Sequence, residues 1–109
     1  MKRVLFDEDV PRQLRRDLPD FFVRTVQEQR WSSLKNGQLL RTASPHFDVL
    51  LTADKNLQYQ QHLEDFSIAV VVLASRDTRL PSLRLVLSEI RDALAAATPG
   101  LAIRVGESK

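Results

Sequence analysis

The chain predicts an α/β fold built on a five-stranded, mostly parallel, doubly wound sheet. Three observations carry this. Short β-type apolar runs alternate with helical patterns in the order βαβαβαβαβ. One run, Ile68–Leu73, is nearly all β-branched, as in a central strand covered on both faces. Two runs, Val4-Leu5-Phe6 and Val49-Leu50-Leu51, stop near carboxylates, at Asp7-Glu8-Asp9 and at Asp54. In an open parallel sheet, ligands bind beyond the C-terminal strand ends, at the switch point in strand order.

Arg3–Phe6 reads as a short buried strand. Asp9 can cap a following helix with Pro11 in its first turn, and Val10, Leu14 and Leu18 then form one apolar face at four-residue spacing. Pro19-Asp20 ends it. Phe21–Val26 is the second strand, and Gln27–Lys35 a polar connection holding the only tryptophan. A helix from Asn36 to Ser44 buries Leu39, Leu40 and Ala43 and stops at Pro45. Phe47–Thr52 is the third strand, Lys55–Leu63 a short helix and Ile68–Leu73 the fourth strand. Pro81–Ala97 is the longest helix, with Leu83, Val86, Leu87, Ile90, Leu94 and Ala97 on one face. Leu101–Val105 is the last strand, and Gly106–Lys109 is a tail.

At 109 residues the chain suits one domain with a single core. It has no cysteine, which excludes disulfides, zinc–thiolate sites and thiol catalysis. Twelve of the 16 basic residues are arginine, whose planar fork suits phosphate, so nucleic acid is an expected partner class. The longest apolar run, Ile68–Ala74, is seven residues, far below the roughly 20 that cross a bilayer. A cytoplasmic protein with no membrane association is expected.

Strand geometry sorts the acids. Asp48 opens the third strand and Asp54 follows its end, about 20 Å away at about 3.3 Å per residue. Only Asp54 can join Asp7 at the functional edge, leaving Asp48 as a surface charge. Two nearby carboxylates repel and tend to share a cation or a proton. Each acid also has a plain structural role open to it. Asp7 can bond loop amides, Asp54 can cap the helix from Lys55, and Asp77 can extend the acidic cluster or cap its own turn. Glu8 is a secondary ligand or a solvated neighbour, and Asp9 fits a cap better than a ligand. Lys55, Arg76 and Arg12 are the candidate substrate contacts, although Arg76 can instead pair with Asp77. Gln58, Tyr59, Gln60 and Gln61 form a polar cluster best read as a solvated face. His46 and His62 stand alone, which argues against zinc. Neither phosphate-binding glycine motif, GxxxxGK[ST] nor GxGxxG, is present.

The opening VLFDEDVPRQLRR, the central WSSLKNGQLL, the DVLLTADKNL segment and IAVVVL with its polar turn resemble the compact PIN-like domains found among toxins of bacterial toxin–antitoxin pairs. The resemblance spans essentially the whole chain. It implies a three-layer α/β/α fold and an endoribonuclease dependent on Mg²⁺ or Mn²⁺, with a small DNA-binding antitoxin as partner and a homodimer as a possible assembly. By the same resemblance Asp7, Asp54 and Glu8 fall on metal-binding and catalytic acids. Asn36 stands where many relatives carry an acid, and Asp77 is the only clear acid after the fourth strand. Hard carboxylate oxygens suit such a cation, which activates water and neutralises charge on a phosphodiester.

Two other classes compete. One is a PIN-like module that binds RNA or protein without cutting. The other resembles a receiver domain of two-component signalling, with Glu8-Asp9, Asp54 and Ser75 as its acids and hydroxyl. A receiver's lysine after the fifth strand is missing, with Lys109 the only candidate.

Overall fold

A computed structural model describes residues 1–107, so Lys109 and the end of the expected tail lie outside the described residues. Five strands form one sheet: β1 (Arg3–Phe6), β2 (Phe22–Thr25), β3 (Val49–Thr52), β4 (Ala69–Leu73) and β5 (Ala102–Val105). They are all parallel, in the order β2-β1-β3-β4-β5. This is one of the two common doubly wound orders, and its switch point lies between β1 and β3.

Period-two alternation divides the strand side chains between two buried layers. Val4, Phe6, Val49, Leu51, Val71 and Leu73 face one core with Leu14, Leu83, Ile90 and Leu94. A 3-10 segment (Arg12–Asp17) and two helices, α3 (Leu80–Leu85) and α4 (Leu87–Ala96), supply that cover. Leu5, Leu50, Val70 and Val72 face the other core with Leu39, Leu40, Ala43 and Leu57. Those come from α1 (Asn36–Ala43) and α2 (Leu57–Gln60). The result is a three-layer α/β sandwich.

The β3–β4 and β4–β5 connections step the same way along the sheet but pass over opposite faces. Their crossovers therefore have opposite hands, although nearly all such connections are right-handed.

Three expected elements differ. The first helix is only a 3-10 segment, and Asp9 does not cap it. The residue at its start is Pro11, without a side-chain cap. The Asp9 carboxylate instead reaches across to the end of β3. The long C-terminal helix is broken at Val86, with φ −114° and ψ 22°, so α3 and α4 turn independently toward the core. The break buries Leu83 and Ile90 while leaving Leu85 87% exposed. The Lys55–Leu63 helix shrinks to α2, followed by a short 3-10 turn at Leu63–Asp65.

Candidate acidic site at the β1–β3 switch point

Register explains why the acids share one sheet edge. Leu5 pairs with Leu50 and Phe6 with Leu51, and the Asp7 amide continues the ladder by donating to the Leu51 carbonyl at 2.9 Å. One step further, Asp7 lies beside Thr52. By the two-residue period, both side chains leave the sheet on the face of Leu5 and Leu50. The Thr52 hydroxyl donates to Asp7 Oδ2 at 2.8 Å and accepts from the Asp54 amide at 3.1 Å. Thr52 is fully buried. An ordinary β-former at a strand end, it enters the sequence reading only as part of the DVLLTADKNL segment and with no role of its own, yet it links the two acids.

The remaining carboxylate oxygens are also held. Asp7 Oδ1 accepts from the Glu8 amide at 2.9 Å. Asp54 Oδ1 accepts from the Asn56 amide at 3.0 Å, so Asp54 does shape the turn before α2. Asp54 Oδ2 accepts from Asn36 Nδ2 at 3.1 Å. Because α1 covers the Leu5/Leu50 face, its first residue lies over the same sheet edge. Lys35, not Asn36, occupies the cap position of α1, and no side chain caps it. Asn36 is thus turned to the acids rather than to its own helix.

Asp9 is the acid that sequence reasoning undervalued. Its Oδ1 accepts from the Ala53 amide at 3.1 Å. Although Asp9 is exposed, partial desolvation of its carboxyl raises it above the usual range; the Ala53 amide opposes this, and the charges of Asp7 and Asp54 add to it. Among the described residues no ion pair engages Asp7, Glu8, Asp9 or Asp54. Nor do three acid, histidine or cysteine side chains of the described residues converge as a ready metal cage.

A cleft of about 520 Å³ opens at this edge, lined by Asp7, Glu8, Trp31, Asn36, Gly37 and Gln61 among others. Asp54 meets it through Asn36. Trp31 is placed by a tight turn in which Arg30 takes a left-handed φ of 63° and the Trp31 amide donates to the Val26 carbonyl. Its ring stands edge-on to Phe47, with centroids 5.9 Å apart, and 6.1 Å from His46. A Cβ at Gly37 would lie 3.1 Å from Gln61 Oε1, so the Gln61 side chain would have to shift slightly to admit one.

Other candidates sit apart from these contacts. Both Asp77 oxygens are taken locally, by Arg79 and the Ser82 hydroxyl. These contacts hold the carboxyl far below its usual range, those of Arg79 first. Asp77 is therefore built into the turn before α3, and its cation is Arg79 rather than Arg76. Arg76 and Arg12 are exposed. Lys55 is half-buried, and its carbonyl, with Gln58 Oε1, accepts from Arg104. Gln58 is thus an anchor for β5, while Tyr59 is 73% exposed. Asp48 pairs with Arg3 at 3.2 Å, at the opposite sheet edge. The Ser75 hydroxyl donates to the Gly106 carbonyl.

No described helix is long and apolar enough to cross a membrane. No family model, curated protein or solved structure matches the chain.

Proposed function

We propose that the chain is a PIN-like endoribonuclease that uses Mg²⁺ or Mn²⁺ to cut single-stranded RNA, acting as the toxin of a pair with a small DNA-binding antitoxin. The observation that supports this most is the Thr52 link, which gathers Asp7 and Asp54 at the switch point with no cationic partner among the described residues. Acids placed at one sheet edge without a basic partner suit a shared cation. The donor set fits Mg²⁺, which commonly takes one or two carboxylates, keeps several waters and completes its shell with substrate phosphate. Asp7 and Asp54 would hold the ion, with Glu8 and the Asn36 amide at the rim. When bound, the ion supplies Lewis acidity and lowers the pKa of water.

The chain's own groups do the rest. Thr52 fixes Asp7 Oδ2, and Asn36 fixes Asp54 Oδ2. Lys55, Arg76 and Arg12 supply positive charge for phosphate oxygens. Asp77 drops out of the ligand set because Arg79 and Ser82 occupy it. The test is cleavage of a 5′-labelled RNA with Mn²⁺, with and without EDTA. Asp7→Asn and Asp54→Asn should each abolish cutting, and full activity in either would sink the assignment.

One observation favours a second reading. The described residues hold no ready three-ligand cage, which suits a module that binds RNA without cutting. RNA binding with no metal-dependent cleavage would select it.

A further inference from the structure

The surface beside the acidic edge changes sign within a few residues. The 3-10 segment Arg12–Asp17 has the sequence RQLRRD, and only Leu14 points into the core. Its arginines therefore stand on the outer side. Arg15 is neutralised by Glu28 at 3.0 Å. Arg12 and Arg16 are exposed and form no ion pair among the described residues.

Three hollows lie between this face and the site, neighbours through shared lining residues. Glu8 lines both the 520 Å³ cleft and a neighbouring hollow of about 350 Å³. Arg12 and Arg15 line that second hollow and a third of about 260 Å³, whose only other lining residues are Gln13 and Arg16. Shared lining residues thus set the three hollows side by side, from Asp7 through Glu8 to Arg12 and Arg16, with Glu28 of the Arg15 pair on the middle one.

We propose that this row of hollows is the track for the phosphate backbone of single-stranded RNA leading to the acidic edge, with Arg12 and Arg16 as its phosphate contacts. The inference deepens the ribonuclease reading and rests on it. Charge complementarity identifies the occupant. Guanidinium forks grip phosphate oxygens in pairs. Glu8 and Asp7, at the inner end, repel a bare phosphate unless a cation intervenes, so the strand is gripped before the acids and presented to them.

The experiment is binding of a fluorescein-labelled 12-nucleotide single-stranded RNA to the full chain by anisotropy, in EDTA and over a salt series. EDTA separates binding from cutting. Arg12→Ala/Arg16→Ala should weaken binding about tenfold at low salt and flatten the log–log salt slope by about 0.7 for each phosphate no longer neutralised. Arg12→Glu alone, a single exposed change, should weaken binding more than Arg12→Ala. Arg41→Ala, on the last turn of α1 at the opposite sheet edge, should leave both affinity and slope unchanged. Unchanged affinity in the double variant, equal weakening by Arg41→Ala, or no wild-type binding at any salt would each overturn the track. Displacement of RNA by polyglutamate at equal charge would overturn it in favour of an acidic protein partner. The ribonuclease reading fails separately, if RNA binds with the expected salt slope but is not cut when Mn²⁺ replaces EDTA.

Discussion

The Thr52 hydroxyl stands between Asp7 and Asp54, donating to the side chain of one and accepting from the backbone of the other. Thr52→Val keeps the shape and removes the hydroxyl, leaving Asp7 Oδ2 and the Asp54 amide without that partner. A hydrogen bond to a charged group contributes about 1.5–3 kcal/mol, so the variant should melt lower. Thr52→Ser keeps the bridge and loses one buried methyl, costing about 1 kcal/mol. Thermal unfolding of the two variants checks the order. A serine variant less stable than the valine variant would show that packing, not the bridge, matters at this position.

Asn36 gives a prediction with two signs. Its Nδ2 donates to Asp54 Oδ2. Asn36→Asp replaces that donor with a third charge, so the variant should melt lower than wild type in EDTA. Added Mn²⁺ should then raise its melting temperature more than it raises that of wild type, because a charged oxygen ligand replaces a neutral amide. Equal metal-induced shifts in the two proteins would remove Asn36 from the site.

Asp9 is exposed but carries a charge that folding disfavours, since its carboxyl is raised above the usual 3.8 by partial desolvation and then, beyond the opposing Ala53 amide, by the Asp7 and Asp54 charges. A raised carboxyl costs stability at neutral pH. The cost fades as pH falls through its folded value toward 3.8. Asp9→Asn can still accept from the Ala53 amide, so it should melt higher than wild type near pH 7, with the gain shrinking in acid. A variant less stable at pH 7, or a gain that grows as pH falls, would contradict this.

Asp77 behaves in the opposite sense. Arg79 and Ser82 hold its carboxyl below 3.8, so its contribution is present above pH 3.8 and is lost as pH falls below that value. Asp77→Ala should lower the melting temperature at neutral pH, and the difference from wild type should narrow in strong acid. RNA cleavage should remain, since Asp77 serves the α3 turn. Loss of cleavage in a folded Asp77→Ala protein would return it to the ligand set.

Much of this was legible in the sequence because β1 and β3 write it plainly. Each carries a three-residue apolar run, Val4–Phe6 and Val49–Leu51, with an acid one to three residues beyond it, and parallel pairing brings such ends together. Asn36 was also legible in position, as the first residue of a helix that must cover the same edge. Asp9 was misread because Asp before Pro is a strong cap signal, while its real acceptor role depends on Ala53, 44 positions away. Thr52 lies in the DVLLTADKNL segment, but its role was not legible because it comes from register rather than residue type. The break at Val86 escaped because Leu83, Val86, Leu87 and Ile90 fit an unbroken helical face as well as two short ones. The local occupation of Asp77 depends on Arg79 and Ser82, whose contacts spacing alone does not distinguish from solvent exposure.

The central claim is that Asp7 and Asp54 share one divalent cation. Calorimetric titration of Mn²⁺ into the wild-type chain, Asp7→Asn and Asp54→Asn tests it most directly. The account predicts one saturable site per chain in the wild type and its loss in each variant, with folding retained. A wild-type chain that takes up no Mn²⁺, or either variant binding as tightly as wild type, would contradict it.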